Sequence, residues 1–321
     1  MYRVLVGVVI LVSVTGLSCG GTALEPPTLG PTPAPAASGV LPGSPVPAPP
    51  PSGADAILVG AGDISQCDLD GAIATGQLMN QLLRRSGTKG ITLGDNSTDD
   101  GSEESYRCFD KAWGSLKGSL FPTPGNHDYD LDPRDPYYFS YFGANAGPRG
   151  QGYYSYDHGD WHVLSLNSEL EEGRRPAQLA WMESDLTQHP APCTLAYFHR
   201  PLFSSGEFAA QRMRRLWDVL YAHGVDVIVN GHEHFYAAFP PLRPDGTPDA
   251  RFGIRQIVAG TGGARLFDVP ARQFGERIIG QTWGVIRLTL GPERYSWDFL
   301  SPTAAVLDTG TGTCHGKPAQ G

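Results

Sequence analysis

The sequence predicts an α/β fold in which a second sheet accompanies the first. Three observations lead there. From about residue 54 onward, short β-rich runs alternate with helix-like segments. After Phe239 the helical pattern stops and only strand-like runs follow. Several of the strands end in glycine followed by a polar residue, as loops at the carboxyl ends of α/β strands do when they build a site.

The elements follow in order. Ala56 to Ala61 is a continuous apolar run, Ile73 to Leu83 is amphipathic, and Gly90 to Leu93 is again strand-like, so this stretch reads as a βαβ unit. The alternation resumes with a strand over His162 to Asn167, a helix over Pro176 to Leu186 opened by its proline, and a strand over Thr194 to Phe198. A helix over Phe208 to Tyr221 and a strand over Val225 to Asn230 complete it. Ile254 to Ala259, Trp283 to Leu290 and Tyr295 to Leu300 are three further strands between glycine-rich turns, and they imply the second sheet. No repeat of solenoid length and no heptad pattern is present, so a monomer is expected.

The N-terminal part is of another kind. Val4 to Leu17 is almost unbroken apolar sequence behind Arg3, shorter than the roughly 20 residues that span a bilayer and suited to a signal-peptide core. Residues 1–18 are therefore expected to direct export to a periplasmic, cell-surface or extracellular location. Gly16-Leu17-Ser18-Cys19 resembles a bacterial lipoprotein cleavage site, with Gly16 where that pattern prefers leucine, and it implies membrane anchoring through a lipidated Cys19. Residues 19–53 are mostly proline, alanine, glycine and serine and read as a semi-extended tether, leaving 54–321 as the globular domain.

Charge and cysteines narrow the function. With 24 basic and 33 acidic side chains the formal charge is −9, and no basic stripe is available for nucleic acid or anionic lipid. An anionic substrate then needs a local source of positive charge. Five cysteines leave one unpaired in an exported chain, and Cys19 is the natural odd one. The other four allow three pairings, of which Cys67 with Cys108 and Cys193 with Cys314 is the one favoured.

The polar strand ends are Gly62-Asp63, Gly94-Asp95-Asn96, Gly125-Asn126-His127-Asp128, Phe198-His199 and Gly231-His232-Glu233-His234. Taken singly, a Gly-Asp pair is usually a turn and a lone histidine usually structural. Together they collect carboxylate, amide and imidazole, oxygen and nitrogen donors suited to iron, manganese or zinc. His158, His162, His189, His223 and His315 match no ligand position. A zinc-protease reading of His232-Glu233-His234 fails on spacing, because the helical motif needs histidine at 236, where Tyr236 stands.

The order and spacing of these tips resemble the calcineurin-like metallophosphoesterases, in particular bacterial members related to purple acid phosphatases, from about Ala54 to the C-terminus. The resemblance implies a two-sheet metallophosphoesterase sandwich flanked by helices (αββα). It implies that Asp95 bridges two metal ions, that Asp63 and His234 bind the first, and that Asn126, His199 and His232 bind the second. Two such cations, about 3.5 to 4 Å apart, clamp a phosphoryl group and turn a bridging water into hydroxide. The reaction expected is hydrolysis of a small phosphate ester, a monoester in preference to a diester. His127, beside Asn126, is the group to protonate the leaving oxygen. Asp128 either orients that ring or is a turn residue ahead of Tyr129, and Arg200 either contacts a phosphate oxygen or makes a surface ion pair. The sequence departs from the pattern where Ser65 replaces a histidine and Thr98 a tyrosine, both at the first metal; lacking a tyrosinate, the protein is expected to be colourless. Those departures are the only support for the rival reading, a non-catalytic surface lipoprotein that keeps the fold as a binding module.

Overall fold

The structure, a computed structural model, describes residues 55–68, 70–269, 275 and 277–318. The expected signal sequence, Cys19 and the proline-rich tether lie outside the described residues.

Two sheets form. The first has the order β13-β12-β11-β1-β2-β3 and the second β10-β8-β9-β7-β6-β5-β4. In the first, β1 (Ala56–Ala61), β2 (Thr88–Leu93) and β3 (Leu120–Thr123) run parallel, joined by α1 (Asp70–Leu83) and α2 (Glu103–Trp113). In the second, β4 (Tyr154–His158) pairs antiparallel with β5 (Trp161–Ser165), and β5, β6 (Cys193–Tyr197) and β7 (Val227–Asn230) are parallel. Their connections carry α4 (Arg175–Gln188) and α5 (Arg214–Ala222), while the short α3 (Tyr137–Phe142) precedes β4.

Apolar side chains from both faces of each sheet decide the layering. Leu58, Ile91 and Leu93 of the first sheet share one core with Val163, Leu195, Val227 and Val229 of the second. The outer face of the first sheet packs Val59 against Leu78, Met79, Phe109 and Trp113 of α1 and α2. The outer face of the second packs Ala196 and Ile228 against Met182 of α4 and Leu216, Trp217 and Leu220 of α5. The result is the αββα sandwich.

Three expectations change. The C-terminal strands do not form the second sheet by themselves. β9 (Ile254–Ala259) lies between β7 and β8 (Tyr236–Leu242), with the short β10 (Arg277–Ile279) outside β8. β11 (Val285–Gly291), β12 (Arg294–Leu300) and β13 (Val306–Thr313) return to the first sheet through β1. β9, β11 and β12 each turn apolar side chains to the shared core, so alternation alone does not say which sheet they join. Phe208 is not helical: its backbone N–H donates to Glu233 Oε1, and a 3-10 turn over Gln211–Met213 precedes α5. Finally, α2 and β3 lie in a stretch that the alternation left unassigned. Both disulfides pair as favoured, Cys67 with Cys108 and Cys193 with Cys314. No helix among the described residues is long and apolar enough to cross a membrane.

Candidate metal centre

The carboxyl ends of β1, β2, β3, β6 and β7 supply Asp63, Asp95, Asn126, His199 and His232 with His234. Their donor atoms converge. His199 Nε2 lies 3.2 Å from Asp95 Oδ2, 3.1 Å from Asn126 Oδ1 and 3.0 Å from His232 Nδ1. The buried Asp63 Oδ1 lies 3.1 Å from His234 Nε2. The backbone N–H of His232 donates to Asp63 Oδ2 (2.7 Å), which joins the Asp63 and His234 pair to the other group. The backbone N–H of His127 holds Asp95 Oδ1 (2.9 Å).

Backbone conformation aims these side chains. Asp63, Asp95 and His232 all have positive φ, at 57°, 47° and 71°. Such a conformation costs on the order of 1–3 kcal/mol for a residue other than glycine and clusters at functional sites. Gly94, itself at φ 83°, allows the close approach of His199, because a Cβ there would stand 2.6 Å from the His199 Cβ.

Outer partners fix which nitrogen of each ring faces inward. His199 Nδ1–H donates to the Leu93 carbonyl (2.9 Å) and His234 Nδ1–H to the Arg265 carbonyl (2.6 Å), so both rings present Nε2. The electrostatics match a cation site. Burial opposes a charge on His199, yet Asp95 and Asp63 overcome it and hold its pKa up at about 9. Burial likewise works against His234, and Asp63 raises it. His232 is pushed far down by burial and then by the positive charge of His199 and Arg200, which keeps it a neutral donor. Two buried carboxylates, one amide and three imidazoles fit two metal ions, with protons standing in for them on His199 and His234.

Residues 48–236, more than half of the chain, match the family model described as calcineurin-like phosphoesterase. The chain belongs to the calcineurin-like phosphoesterases. Purple acid phosphatase 21 of Arabidopsis thaliana is 26% identical over 222 residues, 64% of this chain and 49% of that protein. Acid phosphatase type 7 of Homo sapiens is 29% identical over 147 residues, 37% of this chain and 32% of that protein. The chain thus spans less than half the length of either curated relative. The purple acid phosphatase PPD1 of yellow lupin (Lupinus luteus) superposes with a TM-score of 0.63 at 18% identity, over 82% of this chain and 55% of that one. GAP50, the anchor in the inner membrane complex of Plasmodium, superposes with a TM-score of 0.65 at 14% identity, over 83% and 90%. Both of these likenesses are of fold.

Within this calcineurin-like domain two expected roles need revision. Asp128 does not orient His127. Its buried carboxylate accepts from the Gly125 N–H (2.8 Å), Asn96 Nδ2 (3.0 Å) and the Tyr106 hydroxyl (2.6 Å), and so ties the loops after β2 and β3 together. Burial, then the charge of Asp95, pushes its carboxyl up to about 6. The partner of His127 is Asp130, whose Oδ2 lies 2.6 Å from His127 Nδ1. The turn explains this: residues 127–129 form one turn of 3-10 helix, which brings residue 130 back beside 127 and sends the side chain of 128 into the interior. A carboxylate three positions on is the local signal of this pairing.

Arg200 makes an ion pair, with a buried carboxylate and not at the open surface. Its Nε donates to the buried Glu169 (2.9 Å), an ion pair, and its Nη1 lies 2.8 Å from His232 Nε2, at the edge of the centre. Glu169 was not anticipated. Burial works against its charge, but Arg200, His199 and Arg212 together keep the carboxyl below the usual range. At the two departures from the family pattern, the Thr98 hydroxyl donates to the Ser65 carbonyl (2.8 Å), and the buried Ser65 hydroxyl has no hydrogen-bond partner.

Proposed function

We propose that this chain hydrolyses phosphate esters, monoesters in preference to diesters, using two metal ions. Asp63, Asp95 and His234 would hold the first ion, and Asp95, Asn126, His199 and His232 the second. The observation that carries this reading is the convergence of His199 Nε2, Asp95 Oδ2, Asn126 Oδ1 and His232 Nδ1 beside the buried Asp63 Oδ1 and His234 Nε2 pair. When bound, the ions supply Lewis-acid charge for the phosphoryl oxygens and lower the pKa of water.

The chain's own groups do the rest. His127 keeps Nδ1 on Asp130 and turns Nε2 toward the centre, 3.9 Å from Asp95 Oδ2. That nitrogen is the proton donor to the leaving oxygen. Arg200 contacts a phosphate oxygen. Its bond to His232 Nε2 supports this, because a histidine that gives Nδ1 to a cation carries its proton on Nε2, and the guanidinium must then turn to another acceptor. Export, the tether and a lipid on Cys19 belong to the same proposal, and mass spectrometry of membrane-fraction protein tests the lipid.

The deciding experiment is turnover of a chromogenic phosphomonoester and a phosphodiester by purified protein loaded with manganese, zinc or iron, before and after chelation. Activity is expected only with metal, and is lost in Asn126→Ala and reduced in His127→Ala. Undiminished hydrolysis by demetallated protein would falsify the reading.

A further inference from the structure

A cleft of about 450 Å³ opens beside the metal centre. Phe208, Phe235 and Phe267 supply its rings, and Glu207, Glu233 and Asp268 its acidic groups; among the described residues that line it there is no lysine or arginine. Two of the rings touch the proposed ligands directly. Phe267 stacks on His234 with centroids 4.0 Å apart and planes 11° apart, and Phe208 meets His232 at 5.3 Å. A group bound at the metals therefore continues into the cleft past these two rings. Phe208 is 44% exposed, a large apolar side chain left uncovered where such a continuation passes.

Glu233 points to the chemistry of the occupant. Its side chain is wholly buried. Oε1 accepts from the Ser204 hydroxyl and from the Phe208 N–H, which pins the loop carrying Phe208. Oε2 is buried without a hydrogen-bond partner. The wall of the cleft thus holds a buried acidic acceptor that lacks a donor among the described residues. Aromatic faces and carboxylates attract an ammonium group and repel a second phosphate or a carboxylate.

We propose that this cleft binds the alcohol portion of the substrate and selects phosphomonoesters of alcohols that carry an ammonium group, with Phe208 and Phe267 as specificity-determining residues. The proposal rests on the phosphoesterase reading and refines it.

The test compares phosphocholine with its uncharged isostere, 3,3-dimethylbutyl phosphate, on metal-loaded protein. The wild type is expected to favour phosphocholine at least tenfold in kcat/KM. Phe208→Ala and the double variant Glu207→Gln/Asp268→Asn each reduce that preference about tenfold, and Phe208→Tyr retains it. A wild-type ratio near one, or a ratio that none of the variants moves, overturns the proposal. If the metal-loaded wild type hydrolyses the chromogenic phosphomonoester but neither of these two esters, the proposal is overturned; if it hydrolyses none of the three, the phosphoesterase reading fails, and the cleft is judged by calorimetric titration of choline against 3,3-dimethylbutanol. Tighter binding of choline that Phe208→Ala weakens sustains an ammonium site, and equal or absent binding ends it.

Discussion

His127 is flanked by two aspartates with different work. Asp130 meets the ring through Nδ1, whereas Asp128 is sealed inside a set of backbone, amide and phenol donors. Asp130→Asn is therefore expected to lower kcat about tenfold for an alkyl phosphate, whose leaving oxygen needs a proton. For a nitrophenyl phosphate, which leaves without one, the loss is smaller, and the ratio of the two rates is the measurement. Asp128→Ala instead leaves several buried donors unsatisfied and should cost about 3 kcal/mol of stability in denaturant unfolding. His199 carries a further prediction. Asp95 and Asp63 keep it protonated in the metal-free protein at neutral pH, so loading metal at pH 7 releases about one proton from this ring. Calorimetric metal titrations in buffers of different ionisation enthalpy measure that release, and a heat independent of the buffer contradicts the assignment. Every one of the six ligand candidates is a residue the sequence singled out, because glycine and a metal-binding side chain at a strand end leave a local mark. Glu169, Glu233 and Asp130 bear on the centre through distant partners or through a turn, and that mark is missing.

Among the elements, α4 is fastened to β4 and β5 by charge. His162 on β5 holds Asp157 through Nδ1 and Asp185 of α4 through Nε2, each at 2.8 Å. Burial opposes its protonation, but Asp185 and Asp157 raise its pKa above the ordinary histidine value, and Asp185 is lowered in turn. A raised histidine contributes stability that is fully present below its unfolded pKa of about 6.5 and is lost as pH rises through the folded value. Unfolding free energy should then decline on the alkaline side of pH 6.5, and His162→Gln should flatten that slope. The edge strand β13 depends on glycine: Gly310 and Gly312 lie opposite Trp297 and Tyr295 of β12, where any Cβ would collide with the rings. The Cys193–Cys314 bridge then fastens the end of β13 to the start of β6. Replacing both cysteines by alanine is expected to cost about 3 kcal/mol in denaturant unfolding. Strands rich in β-branched and aromatic residues were readable from the sequence. β13 was not, since its threonine and glycine alternation resembles a loop until its partner's rings are in place. α2 did carry a signal, Ser102 as N-cap accepting from the Ser105 N–H with Glu103 and Glu104 in the first turn.

For the whole molecule, the metal centre sits where both sheets end, so it couples chemistry to stability. Removing the ions leaves Asp63 and Asp95 buried with protonated histidines and one backbone N–H each to compensate, and chelation is expected to lower the melting temperature as well as abolish activity. An apo protein that melts at the same temperature as the loaded one argues against a buried two-ion site. The loaded protein should be colourless with any of the three metals, since position 98 offers a threonine hydroxyl already given to Ser65 and no phenolate. By itself the sequence determined the α/β class, the parallel strands and the candidate ligands, because continuous apolar runs, helix amphipathicity and glycine-flanked donors are local properties of the chain. Which sheet each C-terminal strand joins, which aspartate serves His127, and the aromatic cleft beside His232 and His234 were decided only by tertiary structure. Those outcomes depend on contacts between segments far apart in the chain, where packing against a partner, not local pattern, sets the free energy.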